Sequence, residues 1–437
     1  VAIAIGLIPR LGVWRARDLL WQRRYEAVPN WLAIGSVFGD SAETWRLRSR
    51  LSRHLLDLDG AGQALDAARA AGLSHAAYGK EQLLLRAQAG RLENLEPTIY
   101  QWMQDAGEDA AELCEAYANG LLINNRPDDA LAIFDVWIKE YPNDPQPHVS
   151  RGRWFESRQQ IDEAEAAYQA ALERDPRFAP AHYALGRLNL NRQKMEAALA
   201  NFEQAEQLLE HRAAPGLGIA RSRQALGQIE DARAILDEIV RLPRDDVQLS
   251  FVLVQDPDPT RPAERLLGEI LAGLGEYAEA LPHLEAALEI EPKSSSLRYL
   301  KAQALQSMSR EDEARKLFEE IAADRAAIDE ADRIIDRIKA RPGDPWVDER
   351  FRIGELYLKH DSAYRAEYWL KSVLVYDPNH AEAHALLAEC YRLRSRNEPS
   401  FAAGAEFHRK EAERLRLASE NNPPPSGEQP AEKTLAP

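Results

Sequence analysis

The sequence predicts an all-α solenoid, about ten stacked helix pairs closed by a C-terminal capping helix. Three observations predict it: a period close to 34 residues, an apolar spacing within each period that marks one face of a helix, and prolines that close several units. Alanines open an apolar stretch at Ala27, Ala61, Ala130, Ala164, Ala198, Ala232, Ala280, Ala314 and Ala366, with Leu95 standing in the series after Ala61. The spacings are 34, 34, 35, 34, 34, 34, 48, 34 and 52 residues.

A large apolar residue follows four later, at Trp31, Leu65, Ile99, Phe134, Tyr168, Phe202, Leu236, Leu284, Phe318 and Leu370. Another apolar residue comes three after that, at Ile34, Ala68, Trp102, Trp137, Ala171, Ala205, Ile239, Ala287, Ile321 and Val373. This i, i+4, i+7 pattern is one face of a helix. Twelve residues before most of the alanines the residue is small: Ser49, Ala118, Gly152, Gly186, Ala220, Gly268, Ala302 and Gly354. A small residue there lets two helices approach closely. Pro142, Pro176, Pro292 and Pro378 close four units, since proline cannot continue a helix and biases the residue before it away from helical dihedrals. Short turns such as Asn125-Arg126-Pro127-Asp128 and Gly275-Glu276 join the two helices of a unit. One pair cannot bury its apolar face alone, whereas stacked pairs bury it against each other.

This pattern resembles the tetratricopeptide repeat family. The small residue at repeat position 8, Ala at 20, an aromatic or aliphatic at 24, Ala at 27 and Pro at 32 all match, most fully in units 145–178, 179–212, 261–294 and 347–380. The resemblance covers residues 8–380 and implies a right-handed superhelix whose first helices line a concave groove.

The period breaks twice. Around 246–260 it gains 14 residues, and Val247–Gln255 lacks helical periodicity before Asp256-Pro-Asp-Pro-Thr260, so an insertion loop is expected. Around 325–342 it gains 18, and Ile328, Ala331, Ile334, Ile335 and Ile338 recur at helical spacing, so an extended or inserted helix is expected. The array thus divides into 10–245, the 246–260 loop, 261–324, the 325–342 helix and 343–420, where the last units end in a polar cap helix. Residues 421–437 are polar and Pro-rich and read as a disordered tail.

The 437 residues carry a net charge of −16, which argues against a globally basic nucleic-acid binder. The charge is uneven, with nine arginines against four acidic residues in 1–53, a net of +5. The sequence opens on an apolar run, Val1–Pro9, too short to span a bilayer, which needs about 20 residues. Two readings stand: a first helix that frays, or the end of a membrane anchor followed by Arg10, Arg15, Arg17, Arg23 and Arg24. Localisation stays open between membrane-tethered and cytoplasmic. Trp14, Trp21, Trp31 and Trp45 fall within the first 45 residues, as a membrane-interface belt would, but Trp31 and Trp45 fit repeat positions and Trp14 fits the large-residue position 7, so core packing is expected.

No catalytic constellation is present: no GxSxG, HExxH, Walker A or complete GxGxxG. Gly216-Leu-Gly218 is a fragment inside a predicted helix, and Asp256-Pro-Asp258 is a lone acidic pair between prolines. Cys114 and Cys390 stand far apart, which removes a disulfide framework and a thiolate metal site. His148, His182 and His384 recur at repeat position 4, which points to packing or capping rather than a metal. No enzyme activity, cofactor or metal is expected.

What remains is a row of arginines. The resemblance implies that ligand contacts come from positions 2, 5, 9, 12 and 13 of the first helices. Position 9 reads Arg50, Leu84, Asn119, Arg153, Arg187 and Arg221, the last three spaced by 34 and 34. A planar fork of donors suits carboxylates. Asn119, Arg153, Glu156, Tyr183, Arg187, Asn191, Arg221 and Gln224 are the candidate groove residues. The expected function is a scaffold or adaptor that holds an acidic segment or the C-terminus of a protein partner. Against it stands pairing of these arginines with groove glutamates such as Glu115 and Glu156, or occupation of the groove by the protein's own segments, 246–260 or the polar C-terminal tail. Of the Lys/Asn clamp by which some relatives hold chaperone termini, only Asn119 is echoed. The alternative function is a membrane-tethered assembly factor of the cell envelope, held by the Val1–Pro9 anchor. The oligomeric state is left open.

Overall fold

The computed structural model describes residues 2–105, 109–124, 126–256, 262–395 and 401–421. Among these it holds 23 α-helices and no strand. They follow one another as antiparallel pairs: α1 (Ala2–Trp21) with α2 (Val28–Gly35), α3 (Ala42–His54) with α4 (Leu58–Ala70), and α5 (His75–Gln88) with α6 (Glu96–Asp105). Next come α7 (Ala110–Ile123) with α8 (Pro127–Glu140), α9 (Gln146–Ser157) with α10 (Ile161–Arg174), and α11 (Ala179–Asn191) with α12 (Met195–Leu208). Then α13 (Ala213–Ala225) pairs with α14 (Ile229–Ile239), followed by a single helix, α15 (Arg244–Leu253). The series closes with α16 (Pro262–Gly273) and α17 (Tyr277–Ile290), α18 (Ser295–Ser307) and α19 (Glu311–Ala340), α20 (Val347–His360) and α21 (Ala363–Tyr376), and α22 (Ala381–Arg394) and α23 (Ala402–Asn421). The fold is an all-α solenoid. It divides into two compact units, Val1–Leu267 and Gly268–Pro437.

The repeat positions do what their chemistry dictates. Ala61, Ala130, Ala164, Ala198, Ala232, Ala280 and Ala366 have no exposed surface, and Leu65, Phe134, Tyr168, Phe202, Leu236, Leu284 and Leu370 are buried a helical turn further on. The small residue twelve positions upstream faces that large one. A Cβ on Gly152 would stand 2.4 Å from Cε1 of Tyr168, and the same relation joins Gly186 to Phe202 and Gly354 to Leu370. Between the two helices of a pair the backbone passes through the left-handed region. Leu56, Gly90, Gln159, Gln193, Gly227, Gly275 and Ser309 have φ between 57° and 81°. For the residues that carry a Cβ this conformation costs roughly 1–2 kcal/mol each. The turn is therefore kept by the packing of the helices it joins rather than by local preference.

The first pair departs from the expected register. Its buried stripe is Val28, Leu32 and Gly35, one residue later than Ala27, Trp31 and Ile34. Tyr25–Ala27 forms a short 3-10 turn, and Pro29 lies in the first turn of α2. A proline is pre-organised for a helix start, so the helix begins one residue late. Trp14, expected in the core, is 60% exposed; α1 buries Ala16, Leu19 and Leu20 instead.

The 246–260 stretch also differs from the loop expected. Its first part lies within α15, which packs on α13. Ser250, Phe251, Leu253 and Val254 are buried. Ser250 falls in the apolar stripe and so hides the period from a sequence reading. Its hydroxyl accepts the Ala214 N–H at 2.9 Å and donates to the His211 carbonyl at 2.8 Å, which satisfies it. Residues 257–260 lie outside the described residues.

In the second unit, α19 runs unbroken for 30 residues, and its later turns bury Ala327, Ala331, Ile334 and Ile338 against Ile353, Tyr357 and Leu370. The outer face of α23 is charged, with Arg409, Lys410, Glu413 and Arg414 exposed. Residues 422–437, expected to be disordered, lie outside the described residues.

Candidate functional site on the inner face of the first unit

The first helices of the pairs put a polar ladder on one face of the first unit. Arg50 on α3 donates from Nε to Glu81 at 2.8 Å and from Nη2 to Asp109 at 2.9 Å. Arg53 donates to Glu112, and Asn119 to Gln88 at 3.3 Å. Arg53 and Glu81 are almost fully buried, so each charge relies on its partner rather than on water.

The turn between α1 and α2 lies across this ladder. Arg23, in the left-handed region at φ 57°, sends Nη1 to both carboxylate oxygens of Glu115, at 2.8 and 3.0 Å. Its Nη2 stands 3.5 Å from Asp144, which also accepts from Trp137 Nε1 at 3.0 Å. Burial works against the Arg23 charge, but Glu115, Tyr25 and Asp144 outweigh it and hold the guanidinium well above its usual pKa. Tyr25 stacks on His54 with ring centroids 4.9 Å apart, and its hydroxyl lies 3.2 Å from Nδ1. The Glu26 carboxylate accepts the backbone N–H groups of Glu210, at 3.1 Å, and His211, at 2.8 Å. One six-residue turn thus touches α3, α7 and the segment that leads into α13.

The arginine row lies further along. Arg153 donates to the backbone carbonyls of Gln255 and, at 2.8 Å, Val254. These are the carbonyls at the C-terminal end of α15, where a helix presents unsatisfied acceptors and partial negative charge. Arg187 bridges Asp256 at 3.0 Å and Glu156 at 2.9 Å. Tyr183 donates to the other oxygen of Asp256 at 3.1 Å, and Tyr168 donates to Glu156 at 2.8 Å. Burial opposes the Arg187 charge, yet the two carboxylates raise its pKa overall. Burial, helped by Asp256, pushes the Tyr183 hydroxyl up, so it stays a donor. Gln146 and Gln255 join by their side-chain amides at 2.9 Å.

Of the eight candidate residues, the structure gathers Arg153, Glu156, Tyr183 and Arg187 around the protein's own Val254–Asp256. Asn119 belongs to the ladder instead. Asn191 and Arg221 are exposed, Gln224 is half-buried, and among the described residues Arg221 has no hydrogen-bond or ion-pair partner. A cavity of about 190 Å³ lies between the 22–27 turn and the 175–180 and 208–210 segments, and its lining includes the exposed Arg24 and Arg177 beside Gln255. Sequence reasoning named Arg23 only as one of a basic cluster and missed Glu26 and His54. Their partners are many residues away, and no periodic signal marks them.

Two of the three position-4 histidines cap, and the third is packed. His182 lies 2.9 Å from the Pro176 carbonyl and His384 3.1 Å from that of Pro378, six residues back in both cases. His148 is buried with neither ring nitrogen partnered among the described residues. Burial, then Arg174 and Arg151, lower its pKa to about 4. Burial and three arginines likewise hold His54 well below its usual value. Both groups bind protons more readily in the unfolded state, whose histidines titrate near about 6.5. Their neutral forms therefore favour folding above that pH, and the advantage is lost as the pH falls through each folded-state value, which for His148 is about 4. The melting temperature of the full-length protein is expected to drop over this window and to drop less steeply in His148→Phe. Equal slopes in thermal melts at stepped pH would remove His148 from the account.

Among the described residues no cluster of three or more His, Cys, Asp or Glu is placed to hold a metal ion. Cys114 and Cys390 are free and buried, and burial raises each thiol to about 12, so neither is a ready nucleophile. Among the described residues no helix is long and apolar enough to cross a membrane.

Comparison with known proteins agrees with this architecture. Models of the tetratricopeptide repeat match residues 151–216 and 271–338. No curated protein matches the sequence. Among solved structures, a tetratricopeptide repeat protein from Parabacteroides merdae is 16% identical, with 65% of this protein and 93% of that one covered, at a TM-score of 0.35. PilF of Pseudomonas aeruginosa is 13% identical, over 58% of this protein and 98% of its own length, at 0.42. YrrB, described as a TPR protein with an unusual peptide-binding site, is 18% identical, over 50% and 95%, at 0.30. With the repeat matched in both compact units, the protein is a tetratricopeptide-repeat protein.

Proposed function

We propose that this protein is a non-catalytic scaffold whose first unit holds an extended acidic segment of a protein partner on α9, α11 and α13. Tetratricopeptide repeats support a protein-interaction scaffold with a protein or peptide partner. The observation that carries the finer reading is the seat of Asp256. Its carboxylate lies between the Arg187 guanidinium and the Tyr183 hydroxyl, so the protein's own acidic segment occupies the wall as a ligand would. Beside it Arg221, Arg24 and Arg177 are exposed with no ionic partner among the described residues. A partner segment would exchange with Asp256 and extend onto these arginines. Arg153 has a different part: it caps α15, so its reversal would unseat that helix rather than report on binding.

The test is fluorescence anisotropy with a labelled peptide, Ser250–Asp258 of this sequence supplied in trans, and its counterpart with both aspartates changed to asparagine. Asp256→Asn in the protein should tighten capture of the acidic peptide several-fold by emptying the seat. Arg187→Glu with Arg221→Glu should weaken it by about tenfold or more, and added salt should weaken it in the wild type. Equal capture of both peptides, or no response to the arginine reversals, would overturn the proposal.

A further inference from the structure

The first helix carries an apolar face that stays largely exposed. Ile8, Leu11 and Trp14 of α1 are 46–60% exposed, and so is Trp21, although its ring also packs edge-to-face on Tyr141 with centroids 6.1 Å apart. At 3.6 residues per turn they fall within about 140° of the helix circumference. The stripe that packs inward, Gly12, Ala16, Leu19 and Leu20, occupies a separate arc. Gly35 packs on Gly12 and Val13, so Val37 and Phe38, 58% and 65% exposed, emerge beside the first half of the same helix. Exposed apolar residues scattered singly need no explanation, but a contiguous patch marks a contact.

The charges around this patch have one predominant sign. Arg10 and Arg17 lie along one edge and Arg15 near the other. Asp18, the sole acid of α1, falls inside the exposed arc, between Trp14 and Trp21 in sequence, and is held there by Arg15, while Arg17 reaches Glu43 at 2.5 Å. Arg10 has no partner among the described residues. The whole protein is acidic at −16, so a basic, aromatic face on it is a local specialisation. The last described helix, α23, is different: its outer face mixes both signs of charge, as a solvent-facing cap does.

We infer that this face of α1 docks the protein flat on an anionic lipid surface. Tryptophan and aliphatic residues bordered by arginine suit the headgroup boundary, where rings and alkyl groups enter the apolar layer and guanidinium groups stay at the phosphates. Arginines at such a border are attracted to the anionic headgroups, an attraction that added salt screens. A two-fold self-contact through the same face would set the arginines of one copy against those of the other. The inference concerns α1 alone and does not depend on the acidic-segment reading of the arginine row.

The test is co-sedimentation of the full-length protein with vesicles of phosphatidylcholine alone and with vesicles that also contain phosphatidylglycerol. Binding is expected only to the second, weakened by salt. Leu11→Glu with Trp14→Glu, both solvent-exposed and hence compatible with folding, should lower it by about tenfold or more while the far-ultraviolet circular dichroism is unchanged. Arg10→Glu should weaken it less. No binding to either vesicle, or equal binding by the double variant, overturns the inference. So does a wild-type dimer in sedimentation velocity that the double variant converts to monomer while vesicles retain neither protein.

Discussion

Replacing Arg23 by alanine is expected to destabilise the first unit by about 3–5 kcal/mol, the usual cost of removing one partner from a buried ion pair. The guanidinium is enclosed: it donates to both oxygens of Glu115, approaches Asp144, and lies over the Trp137 ring with its carbon 5.5 Å from the centroid. Without it, Glu115 and Asp144 keep their charges in a face shielded from water. Arg23→Lys should recover only part of the loss, since an ammonium cannot reproduce the forked contact. Arg23→Ala combined with Glu115→Gln should cost less than the two changes summed, because the second removes the charge that the first strands. Arg10→Ala, at an exposed arginine of the preceding helix, should stay within about 0.5 kcal/mol. Urea unfolding of the full-length protein and these variants decides the matter. A loss below about 1 kcal/mol for Arg23→Ala would mean that the turn does not hold the unit together.

Gly120→Ala should be among the most damaging single methyl additions in the first unit. Gly120 lies in α7 where that helix crosses the end of α5, and an added Cβ would sit 2.2 Å from the Ala87 carbonyl oxygen and 3.1 Å from Cδ2 of Leu92. The Ala87 carbonyl already accepts the Gly90 N–H at 3.0 Å in the turn that follows α5. Unlike the tip of a flexible side group, backbone cannot rotate aside, so the two helices must separate. Overpacking of this kind costs about 1–3 kcal/mol or more. Gly79→Ala in α5 has open space around the new Cβ and should act in the opposite sense, stabilising by about 0.5–1 kcal/mol through helix propensity. Thermal melts of the two variants should therefore move in opposite directions from the wild type. A Gly120→Ala protein as stable as the parent would contradict the close approach of α5 and α7.

The contrast between these sites explains what the sequence conveyed. Ala61, Leu65 and Ala68 announce a helix and its buried face because packing repeats wherever the same two helices meet. Position 9 announced Arg153 and Arg187 for the same reason. Their ligands were not legible: Val254, Gln255 and Asp256 belong to the stretch where the period fails, and the Ser250 hydroxyl interrupts the stripe that would have marked α15 as a helix. Trp14 shows the converse error. Its residue type and spacing fit a core position, but burial depends on what lies opposite, and α1 turns another face inward.

By itself, then, the sequence determined the class of fold, the helix pairs and the wall on which the arginines stand, because a 34-residue period is a record of local, repeated contacts. The tertiary structure alone decided what occupies that wall and the ladder beside it. The Arg23–Glu115 and Glu26–His211 contacts join residues 92 and 185 positions apart. Each is a single polar contact made once in the molecule, so no periodicity records it, and only the stacking of the intervening helices brings its two ends together.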